Sequence, residues 1–221
     1  FGYTYKDIVK DKFDNIKKIK SLIDDDSESG IVLSYSKTIK EFSNFWANNL
    51  YDLVFCLGDR FEMSAAVQSG IPFRIKFAHI HGGETTLGAI DNIYRHQITL
   101  ASIIHFTSTE ESLNKVNLLI GNPKFTFNVG SLSLNDIKKF KPAKKSDFLK
   151  SFHIEDKPFV LATFHPETVS LKNNLSYANI MRTAIAEISK SIQVVVTMPN
   201  ADTLGSLYRK ELNKLKLNNS E

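Results

Sequence analysis

Six short apolar runs punctuate this chain: Leu53 to Leu57, Ile75 to Ile80, Ile103 to Phe106, Phe125 to Val129, Phe159 to Phe164 and Ile192 to Met198. Stretches with helical spacing separate them. Continuous apolar strands alternating with helices predict an α/β fold, in which parallel sheets are covered by helices on both faces. Each run ends in polar or glycine-rich residues: Gly58-Asp-Arg60, His81-Gly-Gly-Glu84, Thr107-Ser-Thr-Glu110, Gly130-Ser131, His165-Pro-Glu-Thr168 and Pro199-Asn-Ala-Asp202. Ligands of open α/β sheets bind outside the carboxyl ends of the strands, so these edges predict one composite site. The ordinary polarity of loops after strands accounts for Thr107 to Glu110. It accounts poorly for Gly58 to Arg60 and for His81 to Glu84.

Ahead of the first strand, residues 4–23 read as a helix with lysines on its wet face, and residues 31–49 as a second helix carrying Phe45 and Trp46. That second helix suits either an interface or the core. Between Leu134 and Ser151 a lysine-rich stretch containing Pro142 reads as a linker, and the alternation restarts at Pro158. Two α/β domains follow, 1–145 and 146–221, the second incomplete. The chain begins at Phe1 rather than Met, which predicts a portion of a longer protein.

Several function classes drop out. The net charge of +4 comes from lysines spread along the chain, such as Lys17, Lys18, Lys138, Lys139, Lys144 and Lys145. That pattern predicts solvated faces and no nucleic-acid partner, although a mild positive field suits an anionic small molecule. The single cysteine, Cys56, lies inside an apolar run, so no disulfide forms within the chain; a buried thiol fits a cytoplasmic setting. No apolar segment approaches the length of a membrane span, and no membrane partner is expected. Neither G-x-G-x-x-G nor a P-loop pattern is present, which disfavours a dinucleotide oxidoreductase or a P-loop phosphotransferase.

The densest chemistry is His79-Ile-His-Gly-Gly-Glu84, with Asp91 and Arg95-His96 close behind. Paired acids and bases in one place suit proton transfer. Asp59, just past a strand on a glycine turn, reads either as a base in the crevice or as the N-cap of the next helix. Strand alternation puts His79 and His81 on one face, but the spacing of His79, His81, Glu84 and His96 matches no established metal motif, and no metal is expected. His79 and His105 read as hydrogen-bonded core histidines. The glycine pair Gly82-Gly83 allows either close approach of a ligand or a tight turn. Asp91 and Arg95 share a helix face, as a surface ion pair or as part of a site where Arg95 and His96 hold a phosphate or carboxylate. His165 ends a strand of the second domain, with a role in acid–base chemistry or in packing.

Taken in order, Leu57-Gly-Asp-Arg-Phe-Glu62, His79 to Glu84, Gly88-Ala-Ile-Asp91, Arg95-His96, Asn128-Val-Gly-Ser131 and His165-Pro-Glu-Thr168 resemble the hydrolysing UDP-N-acetylglucosamine 2-epimerases of bacterial sialic- and legionaminic-acid biosynthesis. Phe1 to Tyr5 also looks like the family segment after its first strand and helix. The resemblance implies a GT-B-like fold of two Rossmann-like domains with the active site in the cleft between them. It also implies a first strand before Phe1 and a diphosphate-binding loop after Glu221.

The resemblance further implies that a UDP-2-acetamido sugar becomes UDP plus the free 2-epimer, through a 2-acetamidoglucal, with no metal and no redox cofactor. Asp59, Glu84 and Asp91 are then the acid–base carboxylates. Arg95, His96 and His165 face the departing diphosphate, with His165 also a proton donor. His81, Gly130, Ser131, Asn200 and Asp202 are expected at the substrate. A homodimer or homotetramer is expected. The competing readings are a non-hydrolysing 2-epimerase, a GT-B glycosyltransferase, a non-catalytic UDP-sugar-binding domain and a metal-dependent hydrolase.

Overall fold

A computed structural model describes residues 5–135, 137, 139–199 and 203–218. The chain divides into two compact units, Gly2–Lys138 and Lys139–Glu221. The first contains α1 (Tyr5–Lys10), α2 (Glu28–Asn48), β1 (Val54–Leu57), α3 (Phe61–Gly70), β2 (Phe77–Ile80), α4 (Asp91–Ala101), β3 (Ser102–Thr107), α5 (Glu110–Ile120) and β4 (Thr126–Asn128). The four apolar runs of this unit thus become four strands, paired in parallel in the order β1-β2-β3-β4. Parallel pairing brings all four carboxyl ends to one edge, where the polar motifs sit.

The core of this unit is Trp46, Cys56, Val67, Phe77 and Ile98, which joins β1 and β2 to α2, α3 and α4. Trp46 is 4% exposed, and its indole N–H donates to the Ala66 carbonyl (3.1 Å) and the Ser69 hydroxyl (3.2 Å). The aromatic end of α2 therefore serves the core, where burial of each large side chain contributes about 2 kcal/mol. The opposite face of the sheet departs from the expected two-sided cover. There Phe55, Phe106 and Phe127 stack across three strands, with Phe55 59% and Phe127 46% exposed.

The second unit contains α6 (Lys145–Ser151), β5 (Phe159–Thr163), α7 (Asn174–Ser189), β6 (Gln193–Thr197) and α8 (Gly205–Asn218). β5 and β6 pair in parallel, and Ala178, Met181, Tyr208 and Leu212 form its buried cluster. Two sequence expectations are corrected. The helix foreseen over residues 4–23 stops at Lys10, and none of its residues is buried. A helix with no apolar face to pack is marginal in water, and Lys12 adopts a positive φ of 64°. The end of the foreseen linker, Lys145–Ser151, is helical because Leu149 finds cover at 7% exposure.

Candidate active site

The site begins where β1 ends. Gly58 takes φ +82°, a conformation natural to glycine, and turns Asp59 out of the strand. Its N–H donates to the Ile80 carbonyl (3.1 Å), pinning the turn to β2. Asp59 is not the helix cap that was one of its two readings. The N-cap of α3 is Arg60, without a side-chain cap bond. Instead, the Asp59 carboxylate accepts a charged hydrogen bond from the Arg95 guanidinium on α4.

β2 ends at Ile80, and His81 takes φ +68°, so the chain leaves the strand before His81. The alternation that would put His79 and His81 on one face is broken there. His79 is fully buried, with Nε2 2.8 Å from the Gly58 carbonyl and Nδ1 3.0 Å from the Thr99 hydroxyl. A carbonyl only accepts, so Nε2 carries the proton. Burial pushes the His79 imidazole down to about 4, with smaller contributions from His105, Arg95 and His81, so the ring is neutral. His105 is buried as well but departs from the expected hydrogen-bonded histidine: its Nδ1 has no partner among the described residues.

His81 turns instead to Glu84, with Nδ1 2.8 Å from Oε1, while the Leu132 N–H approaches Nε2 at 3.4 Å. Because the Leu132 amide can only donate, this pairing assigns the neutral Nδ1–H tautomer. Ser108, just beyond β3, donates to the same Glu84 oxygen at 2.6 Å. Burial would raise the Glu84 carboxyl. The hydrogen bonds from Ser108 and His81, with the charge of nearby Arg95, outweigh that and hold it below the ordinary range. Glu84 is therefore a carboxylate at neutral pH.

The glycine pair is used in packing. A Cβ on Gly82 would lie 3.0 Å from His79 Nδ1, and one on Gly83, at φ +80°, would lie 2.1 Å from the Ser112 carbonyl oxygen on α5. The loop carrying Glu84 is thereby pressed between α4 and α5.

α4 opens with Asp91 in its first turn, where a carboxylate is favoured by the helix dipole. One turn on, Arg95 is 3% exposed. Its Nη1 donates to the Glu84 carbonyl (2.7 Å) and to Asn92 Oδ1 (2.6 Å), while Nη2 serves Asp59. The guanidinium expected against a phosphate is thus turned inward, joining the loops after β1 and β2. His96 lies exposed on the same helix.

A groove of about 790 Å³ runs along this edge, lined among others by His81, Glu84, Ser108, Lys115, Gly130 and Ser131. That volume suits a small-molecule ligand. Gly130, at φ +82°, and Ser131 arrive from the loop after β4. Lys115 Nζ bonds the Thr85 hydroxyl (3.1 Å) and Glu111 (2.7 Å) at the wall. Four of the expected site residues, His81, Glu84, Gly130 and Ser131, share this groove. Sequence reasoning passed over Ser108 and Lys115. The position of Ser108 immediately after a strand, one strand along from Glu84, was the available signal.

In the second unit, His165 is exposed just after β5. Asn200 and Asp202 lie outside the described residues. Among the described residues no group of three His, Cys, Asp or Glu side chains could hold a metal ion, and no helix is long and apolar enough to cross a membrane.

The UDP-N-acetylglucosamine 2-epimerase family model matches residues 1–220. The chain is 34% identical over 221 residues to the GDP/UDP-N,N'-diacetylbacillosamine 2-epimerase (hydrolyzing) of Campylobacter jejuni, covering 100% of this chain and 57% of that protein. It is 32% identical over 212 residues to the polysialic acid biosynthesis protein P7 of Escherichia coli, covering 96% and 54%. It thus spans a little over half the length of these relatives. Among solved structures, the UDP-GlcNAc 2-epimerase from Neisseria meningitidis bound to UDP-GlcNAc superposes with a TM-score of 0.67 at 18% identity, over 94% of this chain and 55% of that one. The fold class is the expected one, α/β of GT-B type with parallel sheets. With its ordered motifs, its fold and the match over residues 1–220, this chain belongs to the UDP-N-acetylglucosamine 2-epimerase family.

Proposed function

We propose that the protein is a hydrolysing 2-epimerase that converts UDP-N-acetylglucosamine, or a related UDP-2-acetamido sugar, to UDP and the free 2-epimer. The observation that carries this reading is the groove that holds ionised Glu84 between His81 and Ser108, with Arg95 tying Asp59 to the Glu84 loop. The name of the Campylobacter relative, at 34% identity, supports the hydrolysing form.

The sugar C2–H is weakly acidic, so a carboxylate must remove the proton as the C1–O bond breaks. The C–H pair becomes the C1=C2 double bond of a 2-acetamidoglucal, and the C1–O pair leaves with UDP. Water then adds its oxygen to C1, and C2 takes a proton from the opposite face. Two faces require two acid–base groups, and Glu84 and Asp59 are assigned to them, with Asp91 as a third carboxylate on the same side. His165 and His96 serve the diphosphate, along with Ser131, Asn200 and Asp202. Arg95 acts by fixing Asp59 and the Glu84 loop rather than by touching phosphate. The proposal extends to two Rossmann-like domains, 1–145 and 146–221, to a homodimer or homotetramer, and to the cytoplasm, where UDP-sugars are made.

The test is Glu84→Gln and Asp59→Asn in the full-length protein. Each is expected to lower kcat by about 10²- to 10⁴-fold while calorimetry finds UDP affinity within a few-fold of wild type. Wild-type turnover in Glu84→Gln contradicts the assignment.

A further inference from the structure

The loop that carries His165 is held by a fully buried side-chain amide. Asn174, the first residue of α7, is 0% exposed. Its Nδ2 donates to the carbonyls of Glu167 (2.8 Å) and Leu171 (3.2 Å). Its Oδ1 accepts from the Glu167 N–H (3.0 Å) and from the Tyr208 hydroxyl (2.8 Å). Both donors and both lone pairs of the amide are thereby used. Both peptide groups of Glu167 are clamped, two residues beyond His165.

Tyr208 closes the arrangement from α8. It is 0% exposed, and its ring stacks on Phe164 at 5.3 Å, on the other side of His165 in sequence. Pro166, buried, fixes φ in between. The imidazole itself remains exposed. A buried amide with all four bonds made is costly to break, because removing any partner leaves a buried polar group unsatisfied. Two of its four bonds fix Glu167, two residues beyond His165, which is the support a catalytic side chain on a loop requires.

We propose that Asn174, backed by Tyr208, is the positioning residue that sets the His165 imidazole for its part in catalysis. This rests on the reading of His165 given under Proposed function. Loss of the amide removes the bonds that hold Glu167 and leaves Pro166 and the Phe164–Tyr208 stack in place. The imidazole then samples positions away from the reacting diphosphate, and misplacement of about 1 Å can cost up to 100-fold in rate.

The experiment is a double-mutant cycle in the full-length protein with UDP-N-acetylglucosamine and its 4,6-modified diacetamido analogue as the substrates tried. Asn174→Ala is expected to lower kcat by about tenfold to 100-fold with KM changed less than about threefold. In a His165→Asn background the same substitution is expected to cost nothing further, because its effect passes through the imidazole. Tyr208→Phe keeps the ring stack and removes one bond. It is expected to stay folded with a smaller fall in kcat, and it carries the test if Asn174→Ala does not fold. Imidazole NMR of His165 gives a readout independent of turnover: its signals should shift and broaden in Tyr208→Phe and stay sharp in a remote surface variant such as Lys190→Ala. If His165→Asn turns over at the wild-type rate, the role of His165 falls and this proposal with it. If His165→Asn is impaired while the Asn174 and Tyr208 variants are additive with it, or leave kcat unchanged, the positioning role alone is overturned.

Discussion

Arg95 and Asp59, 36 residues apart, form an ion pair in which the guanidinium is 3% and the carboxylate 29% exposed. The same guanidinium holds the Glu84 carbonyl, so one cation fixes the exits of β1 and β2 together. Arginine suits this because its planar fork reaches several acceptors at fixed angles, which an ammonium cannot match. Arg95→Lys is expected to lower kcat/KM at least about 100-fold and unfolding free energy by about 3 kcal/mol. Urea denaturation and steady-state kinetics check both. A Lys variant with wild-type kcat removes Arg95 from the account.

Ser108 and His81 lower the Glu84 carboxyl, so removing the Ser108 hydroxyl should let it rise. Glu84 acts as a base in its ionised form, so activity is present above its pKa and lost below it. In Ser108→Ala the acidic limb of the kcat/KM profile therefore moves to higher pH, with little change at pH 8. A limb that stays in place, or moves down, contradicts the assignment of Glu84 as base.

The glycines at the site differ in what a side chain would meet. Gly58 has φ +82° and open space around its missing Cβ, so Gly58→Ala costs only the left-handed backbone term, about 1–2 kcal/mol. Gly83 has φ +80° and the Ser112 carbonyl oxygen 2.1 Å from that position. Gly83→Ala must also displace α5 or the Glu84 loop, and it is expected to be the more destabilising of the two and to reduce activity. Thermal denaturation of the pair gives the order directly.

Stability should fall as the medium is acidified from neutrality. The ordinary histidine value is 6.5, and burial lowers His79 to about 4 in the fold. Between those values the unfolded chain takes up a proton that the folded chain refuses, so stability present above pH 6.5 is lost progressively down to pH 4. The shift corresponds to about 3 kcal/mol for His79. His105, also lowered to about 4 by burial, acts in the same direction. Denaturant midpoints from pH 7 to pH 4 should fall accordingly, and His105→Gln should flatten the slope.

The strands were legible because six apolar runs of strand length, cut by polar motifs, have few other ways to bury themselves. The helical periodicity of residues 4–23 is local, whereas a helix needs a surface to cover, and α1 buries nothing. Residue spacing pointed from Arg95 to Asp91, one turn away. The partner Asp59 becomes visible only through the parallel pairing of β1 with β2, which brings the two loops together. Ser108 shows in the sequence only as a residue that follows a strand, and its meeting with Glu84 depends on strand pairing in the same way. The pairing of Ile80 with Phe106 places it opposite the His81 to Glu84 turn, and no short-range pattern carries that register. His81 itself was misplaced because alternation assumes that the strand continues, and its positive φ ends it.

The central claim, C2 deprotonation coupled to loss of UDP, is tested most directly by proton NMR of the full-length protein with UDP-N-acetylglucosamine in deuterated water. The account predicts free UDP together with a 2-epimeric free sugar carrying deuterium at C2. If that substrate is inert, a diacetamido UDP-sugar should give the corresponding products. Free sugar that retains its C2 proton, or no turnover of either substrate, contradicts it.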